Sequence, residues 1–454
     1  MTDRLPTSRQ WLTGWGRTAP TPATVASVGS VEDAAAVLSA HGPRGVLARG
    51  LARSYGDAAQ NAGGLVLDMT ALSQIRHVDL AGRAVEVEAG ISLDRLMALL
   101  VPLGLFVPVT AGTRYVTVGG AIATDIHGKN HHQAGSFSRH VQWLDLLTAD
   151  GQLRRVSPDQ DPGLFWATAG GMGLTGVILR ARVRMKAIET SRLLVDTDRT
   201  PDLDALVDLL SSTDHLYDYS VAWIDCLARG ARLGRSVLTR GRFARRDELP
   251  ARRRGDPLGY AGSVKFSTPD VFPPRLLNPA TVAAFNELWY RRAPKSKRGQ
   301  VQSIPTFFHP LDGVGGWNHI YGPRGFVQYQ FVVPFGQEDA LRAAMERISA
   351  SGTASFLAVL KRFGEPDPGL LSFPQPGWTL ALDFPVMDGL AALLDQLDEL
   401  VVGAGGRIYL AKDSRVRPDL FARMYPQLDR FREVRHRVDP DEVFTSDLAR
   451  RLAL

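Results

Sequence analysis

Three glycine-rich runs lie well apart in the first part of the chain. They are ARGLARSYGDAAQN (Ala48 to Asn61), GTRYVTVGGAIATDIHGKNHH (Gly112 to His132) and WATAGGMGLTG (Trp166 to Gly176). Glycine and small side chains let backbone N–H groups approach an anion, so three such runs suit a large, phosphate-bearing cofactor laid across several loops. Taken alone, the first run is either an anion cradle, with Arg53 and Ser54 adding donors, or a plain glycine turn. It lacks the G-x-G-x-x-G spacing that opens a long helix, which makes a Rossmann fold a poor reading. In the second run Gly112, Gly119 and Gly120 permit close approach, and donors at a helix start favour phosphate.

The second run also carries His127, His131 and His132. His127 and His131 are spaced as ligands on one helix face would be. Gly128 and Asn130 weaken a helix there, however, and no HExxH glutamate is present. Asp125 completes such a site only loosely. No metal is expected; the better reading is one histidine beside a ligand and two structural, hydrogen-bonding ones.

At 454 residues the chain exceeds one ordinary core, so two or three domains are expected. Its 44% hydrophobic and 22% charged content fit a soluble globular protein. The single cysteine, Cys226, excludes an intrachain disulfide and a CxxC metal site. The start, MTDRLPTSRQWLTGWGRTAP, shows no export signal, and no apolar window approaches the length of a membrane span. A cytoplasmic place, or a peripheral one at the plasma membrane, is expected, with the periplasmic face left open. The net charge of +6 is concentrated in RGRFARRDELPARRRGD (Arg240 to Asp256) and YRRAPKSKRG (Tyr290 to Gly299). These runs are either solvated loops or contacts for phosphate or anionic lipid. Aromatic interleaving is sparse and no nucleic-acid motif accompanies them, so nucleic acid is not an expected partner.

Hydrophobic periodicity predicts short elements in alternation. Helices are expected at Val31 to His41, Leu93 to Leu103 and Pro201 to Ser211. Strands are expected at Gly45 to Arg49, Gly64 to Met69, Ala84 to Glu88, Tyr217 to Ile224, Phe326 to Val333 and Ile408 to Ala411. VQWLDLLTADGQLRRVS reads as a hairpin turning at Asp150-Gly151, and LTGVILRARVRM as a strand that closes the first domain near residue 185. Phe421 to Val438 reads as one amphipathic helix, and the basic stretch from about 240 to 300 as mobile loops. The pattern gives an α+β protein of two domains with basic, lid-like loops on the second.

The motifs GTRYVTVGGAIATDIHGKNHH, LFWAT, DVFP, ELWYR, GWNH, QYQF, LSFP, DFP and AKDSR, with the VDP…VF ending, follow one another from about residue 8 to the C-terminus. Together they resemble the decaprenylphosphoryl-β-D-ribose 2-oxidases, flavin subunits of the actinobacterial 2-epimerase that supplies arabinose for cell-wall arabinan. That family is similar to the vanillyl-alcohol oxidases. The resemblance implies a two-part FAD-binding domain (residues 1–190 and a returning segment 405–454) around an α+β substrate domain (191–404).

On that resemblance the cofactor contacts are Ala48, Arg49, Gly50, Leu51, Ala52, Arg53, Ser54, Tyr55, Gly56, Asp57 and Ala58. They are joined by Gly112, Thr117, Val118, Gly119, Gly120, Thr124, Asp125, Ile126, His127, Ile178 and Tyr409. Arg53 stands where many relatives in the wider superfamily carry a flavin-linked histidine, so non-covalent FAD is implied. The sugar and its phosphate would meet Tyr55, Lys129, Trp223, Phe308, Gln328, Gln330, Lys361, Ala381 and Lys412. Alternation puts Gln328 and Gln330 on one strand face, which is either a site wall or a solvent face.

The implied reaction oxidises the ribose C2 hydroxyl of a polyprenylphosphoryl ribose to a ketone, which needs a base for the hydroxyl proton. Lys412 matches the family's active-site lysine, and the bland alternative is an exposed lysine paired with Asp413. His127 is the competing base. Two departures stand out: Ala381 replaces a common cysteine that thiol-directed nitroaromatic inhibitors use, and Phe308 replaces a frequent tyrosine. The resemblance also implies a separate NAD-dependent short-chain reductase as partner and an anionic membrane surface docked by the basic loops. The rival readings are an FAD oxidase of soluble sugars or alditols, and a non-catalytic flavin- or lipid-phosphate-binding scaffold.

Overall fold

The computed structural model describes residues 6–454 apart from 263, 265 and 271–276, so residues 271–273 of the DVFP motif lie outside the described residues. The described chain is α+β, with three main sheets and helices packed against them. In the first sheet Val46–Arg49 and Leu65–Asp68 pair in parallel, and Thr21–Ser27 runs parallel to Leu65–Asp68 on its other side. Thr7–Leu12 closes that sheet as an antiparallel edge. The parallel pairing needs a crossover, supplied by the helix Val31–Ser39. Ser30 caps this helix by accepting from the Asp33 N–H, and Ala34, Val37 and Leu38 bury its inner face. The first glycine run leaves the C-terminal end of Val46–Arg49, the end of a parallel strand at which ligands bind in open α/β sheets.

The second sheet is antiparallel and orders Ile75–Asp79, Ala84–Glu88, Val177–Arg184, Val141–Leu147 and Leu153–Val156. The expected hairpin is present, with Leu147 opposite Leu153 and Gly151 at φ 76° in its turn.

The third sheet has eight strands in the order Ser296–Ser303, Arg192–Thr200, Ser236–Phe243, Tyr219–Ile224, Ala358–Phe363, Gly377–Pro385, Phe326–Pro334 and Arg407–Ile408. Gly377–Pro385 lies between two neighbours and is buried along nearly its whole length, as a central strand should be. The last strand and the Phe444–Val46 bridge carry the C-terminal segment from the third sheet back to the first.

Three expectations need correction. The basic stretch from 240 to 300 is largely built: it holds the end of the strand Ser236–Phe243, a 14-residue helix Pro279–Arg292 and much of the edge strand Ser296–Ser303. Phe421 to Val438 is two helices, Pro418–Met424 and Leu428–Val438, because Pro426 cannot continue the first. Ile408 to Ala411 is strand only at Arg407–Ile408 and then turns.

Candidate active site

A cavity of about 1090 Å³ lies between the glycine loops and one face of the eight-stranded sheet. The sheet wall follows from register. Gln330 stands opposite Ala381, Ala381 opposite Val359, Val359 opposite Trp223, and Trp223 opposite Val237. All five line the cavity, because residues directly opposite across a ladder share one face. Gln328, Lys361 and Thr239 share this face at even spacing. The QYQF alternation is therefore a site wall.

The other wall is made by the three glycine runs. Each carries one non-glycine residue in the left-handed region: Ala52 at φ 55°, Asp125 at 41° and Met172 at 55°. Such backbone persists where surrounding structure holds it, often at binding sites. A Cβ on Gly50 would stand 2.3 Å from Thr117 Oγ1, and a Cβ on Gly112 would meet nothing within 4 Å. The first glycine lets two loops close on each other, and the second leaves room beside the cavity. Ala48 to Tyr55, Thr117, Gly119, Gly120, Thr124, Ile126, Met172 and Ile178 all line this end. The cradle and its volume fit an elongated dinucleotide cofactor. Arg49 turns its guanidinium away, donating to the Thr13 carbonyl at 2.7 Å. Arg53 donates to the Leu51 carbonyl at 2.5 Å and lies 4.2 Å over the Trp15 ring.

Where the two walls meet, three lysines and a histidine converge. Lys412 is half-buried, opening into the cavity, with Nζ 3.8 Å from the centre of the Tyr55 ring. Burial, with Lys361 nearby, lowers it to about 7 against the pull of Asp383. Asp383, buried under the sheet wall, is pushed by burial up to about 7 and accepts from Gln328 Nε2 at 2.5 Å. Burial lowers Lys361 to about 8, and burial together with Lys361 lowers Lys129 to about 7. Lys129 Nζ donates to the Phe307 carbonyl. His127 accepts from Gln330 Nε2 at 2.8 Å, which puts its proton on Nδ1. Nδ1 is buried without a partner among the described residues. Burial first, then Lys361, His131 and Lys412, hold the His127 ring neutral.

Lys412 does not pair with Asp413. The Asp413 carboxylate accepts from Arg451 at 2.9 Å and from the backbone of Arg415 and Val416. Arg451 also grips Asp57 with two bonds of 2.8 and 2.9 Å. One arginine thus ties the lysine segment to the first glycine loop, and Tyr55 N–H bonds the Ala411 carbonyl at 2.9 Å beside it.

Residues 22–157 match the FAD binding domain family, and residues 383–452 match the family described as D-arabinono-1,4-lactone oxidase. The chain is 48% identical to the decaprenylphosphoryl-β-D-ribose oxidase of Mycolicibacterium smegmatis, across 100% of this chain and 99% of that one. The chain belongs to the decaprenylphosphoryl-β-D-ribose oxidase family. It is also 45% identical to an uncharacterized Streptomyces coelicolor protein, across 80% of this chain and 100% of that one. Rice cytokinin dehydrogenase 10 is 33% identical, but only across 33% of this chain and 28% of its own. Like its family, this protein is an FAD-dependent oxidoreductase with the two-domain flavoprotein fold of the vanillyl-alcohol-oxidase type.

Set beside the family pattern, most of the sequence candidates face one cavity, including Ala58, Trp223, Phe308, Ala381 and Tyr409. Gly56, Asp57, Val118 and Asp125 do not. Gly56 packs on the Asp413 carbonyl, where a Cβ would stand 2.1 Å away, and Asp57 is held by Arg451. Val118 is core, and Asp125 accepts from Ser372 Oγ at 2.5 Å and Ser138 N–H at 3.1 Å. His131 bonds Asp367 at 3.1 Å and His132 the Tyr217 carbonyl at 3.0 Å, so the histidines part to separate partners. Among the described residues no group of three or more His, Cys, Asp or Glu side chains converges as a metal site. Sequence reasoning missed Asp383, although it lies two residues beyond Ala381 on the same strand face. It also missed Trp15, Phe285, Trp289 and Trp317 as cavity residues, although Trp289 and Trp317 stand in the ELWYR and GWNH motifs; Trp15 and Phe285 had no signal but their type.

Proposed function

We propose that this protein oxidises the ribose C2 hydroxyl of a polyprenylphosphoryl-β-D-ribose to the 2-keto compound, the first half of an epimerisation toward an arabinose donor. The observation that carries the reading is the convergence of Lys129, Lys361 and Lys412 with neutral His127 on one cavity beside the cofactor cradle. The name of the M. smegmatis relative supports the choice of sugar lipid.

FAD held non-covalently by the Ala48–Ala58 and Gly112–Gly120 loops supplies the hydride acceptor. Arg53, at the place of the linking histidine in many relatives, is committed to Leu51 and Trp15. Lys412, neutral above about pH 7, takes the C2 hydroxyl proton on Nζ while the hydride leaves carbon, so the C–OH becomes C=O. The centre of the Tyr55 ring lies 3.8 Å from that amine, and the charge of the buried Asp383 favours its protonated form. Lys129 and Lys361, when protonated, bind the phosphodiester. Gln328 and Gln330, fixed by Asp383 and His127, present amides to sugar hydroxyls. Ala381 leaves room where a larger side chain would narrow the sugar pocket. A ketone made this way needs a hydride donor to return it with inverted configuration. This supports a separate NAD-dependent short-chain reductase as partner.

The match of residues 383–452 to a lactone oxidase favours one rival, an oxidase of soluble sugars. Anaerobic mixing separates the two. A prenylphosphoryl ribose should bleach the yellow enzyme while free ribose, arabinose and alditols leave it yellow. Equal bleaching by free sugars would overturn the proposal.

A further inference from the structure

The helix Pro279–Arg292 buries Val282 and a polar residue on its inner face and leaves its larger apolar residues outside. Its polar Asn286 is fully buried and donates to Asp225 at 2.7 Å, and that carboxylate is itself paired with Arg235 at 2.7 Å. Its large apolar residues face outward: Phe285 is 41% exposed, Leu288 67% and Trp289 48%. Positions 285, 288, 289 and 292 fall on one helical face. Phe285 and Trp289 stack at 6.0 Å and 19°. Exposed large apolar residues elsewhere are mostly scattered singly, such as Trp11, Leu80 and Leu216, and need no explanation.

Two observations say what covers this stripe. It is continuous with the cavity, since Phe285, Trp289 and the exposed Val264 line its outer end. It is also bordered by the exposed cations Arg292, Lys295 and Lys297, none of which forms a side-chain ion pair among the described residues. Aromatic and aliphatic residues on one helix face with basic residues beside them are the pattern of an interfacial helix on anionic lipid. Among the described residues no helix is long and apolar enough to cross a membrane, so attachment by such an element lies flat.

We propose that the Pro279–Arg292 helix enters the surface of an anionic bilayer through Phe285, Leu288 and Trp289, setting the cavity mouth against the lipid. The inference rests on the lipid-linked substrate proposed above and names the face that meets it. It also separates this face from the Arg252–Arg254 run. That run lies toward the Arg192 end of the strand Arg192–Thr200, where Ala244 N–H bonds the Arg192 carbonyl and Ser191 N–H the Pro257 carbonyl, whereas Arg199 N–H bonds the Lys295 carbonyl at the other end. Seven residues of strand, about 23 Å, separate these two anchor points. Arg254 is moreover committed to the Leu249 and Asp247 carbonyls at 2.7 and 2.9 Å.

Cys226 is buried, and burial raises its thiol to about 12, so a single introduced cysteine can be labelled selectively. A polarity-sensitive fluorophore on Leu288→Cys of the FAD-loaded full chain should shift to the blue on phosphatidylglycerol vesicles and be quenched by lipids bearing nitroxides near the headgroup. The same label on Arg252→Cys should shift much less. Neutralising Arg292, Lys295 and Lys297 to Gln should weaken vesicle binding by roughly fivefold per residue, with most of the loss absent at high salt. No blue shift at position 288, or an equal shift at 252, overturns the proposal. So does a wild-type dimer in solution that Leu288→Asp converts to monomer, which would make the stripe a chain–chain interface. Failure here is distinct from failure of the substrate assignment. Leu288→Asp should turn over a water-soluble short-prenyl analogue at the wild-type rate and lose at least tenfold on vesicle-embedded substrate. Bleaching by the analogue together with no effect of the variant on embedded substrate refutes the membrane face alone.

Discussion

The three lysines predict a pH profile with opposed limbs. Lys412 acts as a base only when neutral, so the activity it confers is present above its pKa of about 7 and lost below it. Lys361 and Lys129 bind phosphate only when protonated, so that contribution is present below about 8 and 7 respectively and lost above. In kcat/KM, which reports the free enzyme, the acid limb should fall about tenfold per pH unit, reaching about 100-fold at pH 5. The alkaline limb should level off instead, because a charge-assisted hydrogen bond contributes roughly 1.5–3 kcal/mol, or about 10- to 150-fold in affinity. The assay is stopped-flow flavin bleaching under anaerobic conditions from pH 5 to 9. Lys412→Met should lose about 10²–10⁴ in rate and all of the acid limb while retaining FAD. Asp383→Asn removes the anion that favours the Lys412 cation, so its acid limb should move to lower pH. A phosphate-free ribose substrate should lack the alkaline limb. An acid limb unchanged in Lys412→Met would refute the assignment and give the base role to His127 or to solvent.

Three further substitutions test the walls of the cavity. Gly50→Ala puts a Cβ 2.3 Å from Thr117 Oγ1, so the purified protein should be colourless or bind FAD at least tenfold more weakly by fluorescence titration. Arg451→Met strands Asp57 and Asp413 together, and should destabilise the chain by about 2–3 kcal/mol in urea while raising the Kd for FAD. Ala381 lines the cavity without a thiol, so a thiol-directed nitroaromatic should leave no adduct in its peptide by mass spectrometry; Ala381→Cys should create one.

The cofactor end was legible in the sequence because close backbone approach demands glycine, and the three runs carried that demand openly. The sugar wall was only half legible. Alternation put Gln328 and Gln330 on one face, but only the pairing of Gln330 with Ala381, and of Val359 with Trp223, turned that face inward. The setting of Lys412 was hidden, since its partners Tyr55 and Asp383 and the Arg451 clamp come from distant parts of the chain. The helix Pro279–Arg292 was read as a basic loop for a physical reason: it buries Asn286 and exposes Phe285, Leu288 and Trp289, so its apolar spacing marks no core face.

The central claim is that the bond broken to hydrogen lies at C2 of the lipid-linked ribose. It is tested most directly by single-turnover bleaching with substrate deuterated at that carbon alone. The account predicts several-fold slower bleaching with C2-deuterated substrate and no change with deuterium at C1 or C3. A rate unaffected by deuterium at C2 but slowed by deuterium at C1 or C3 would contradict it.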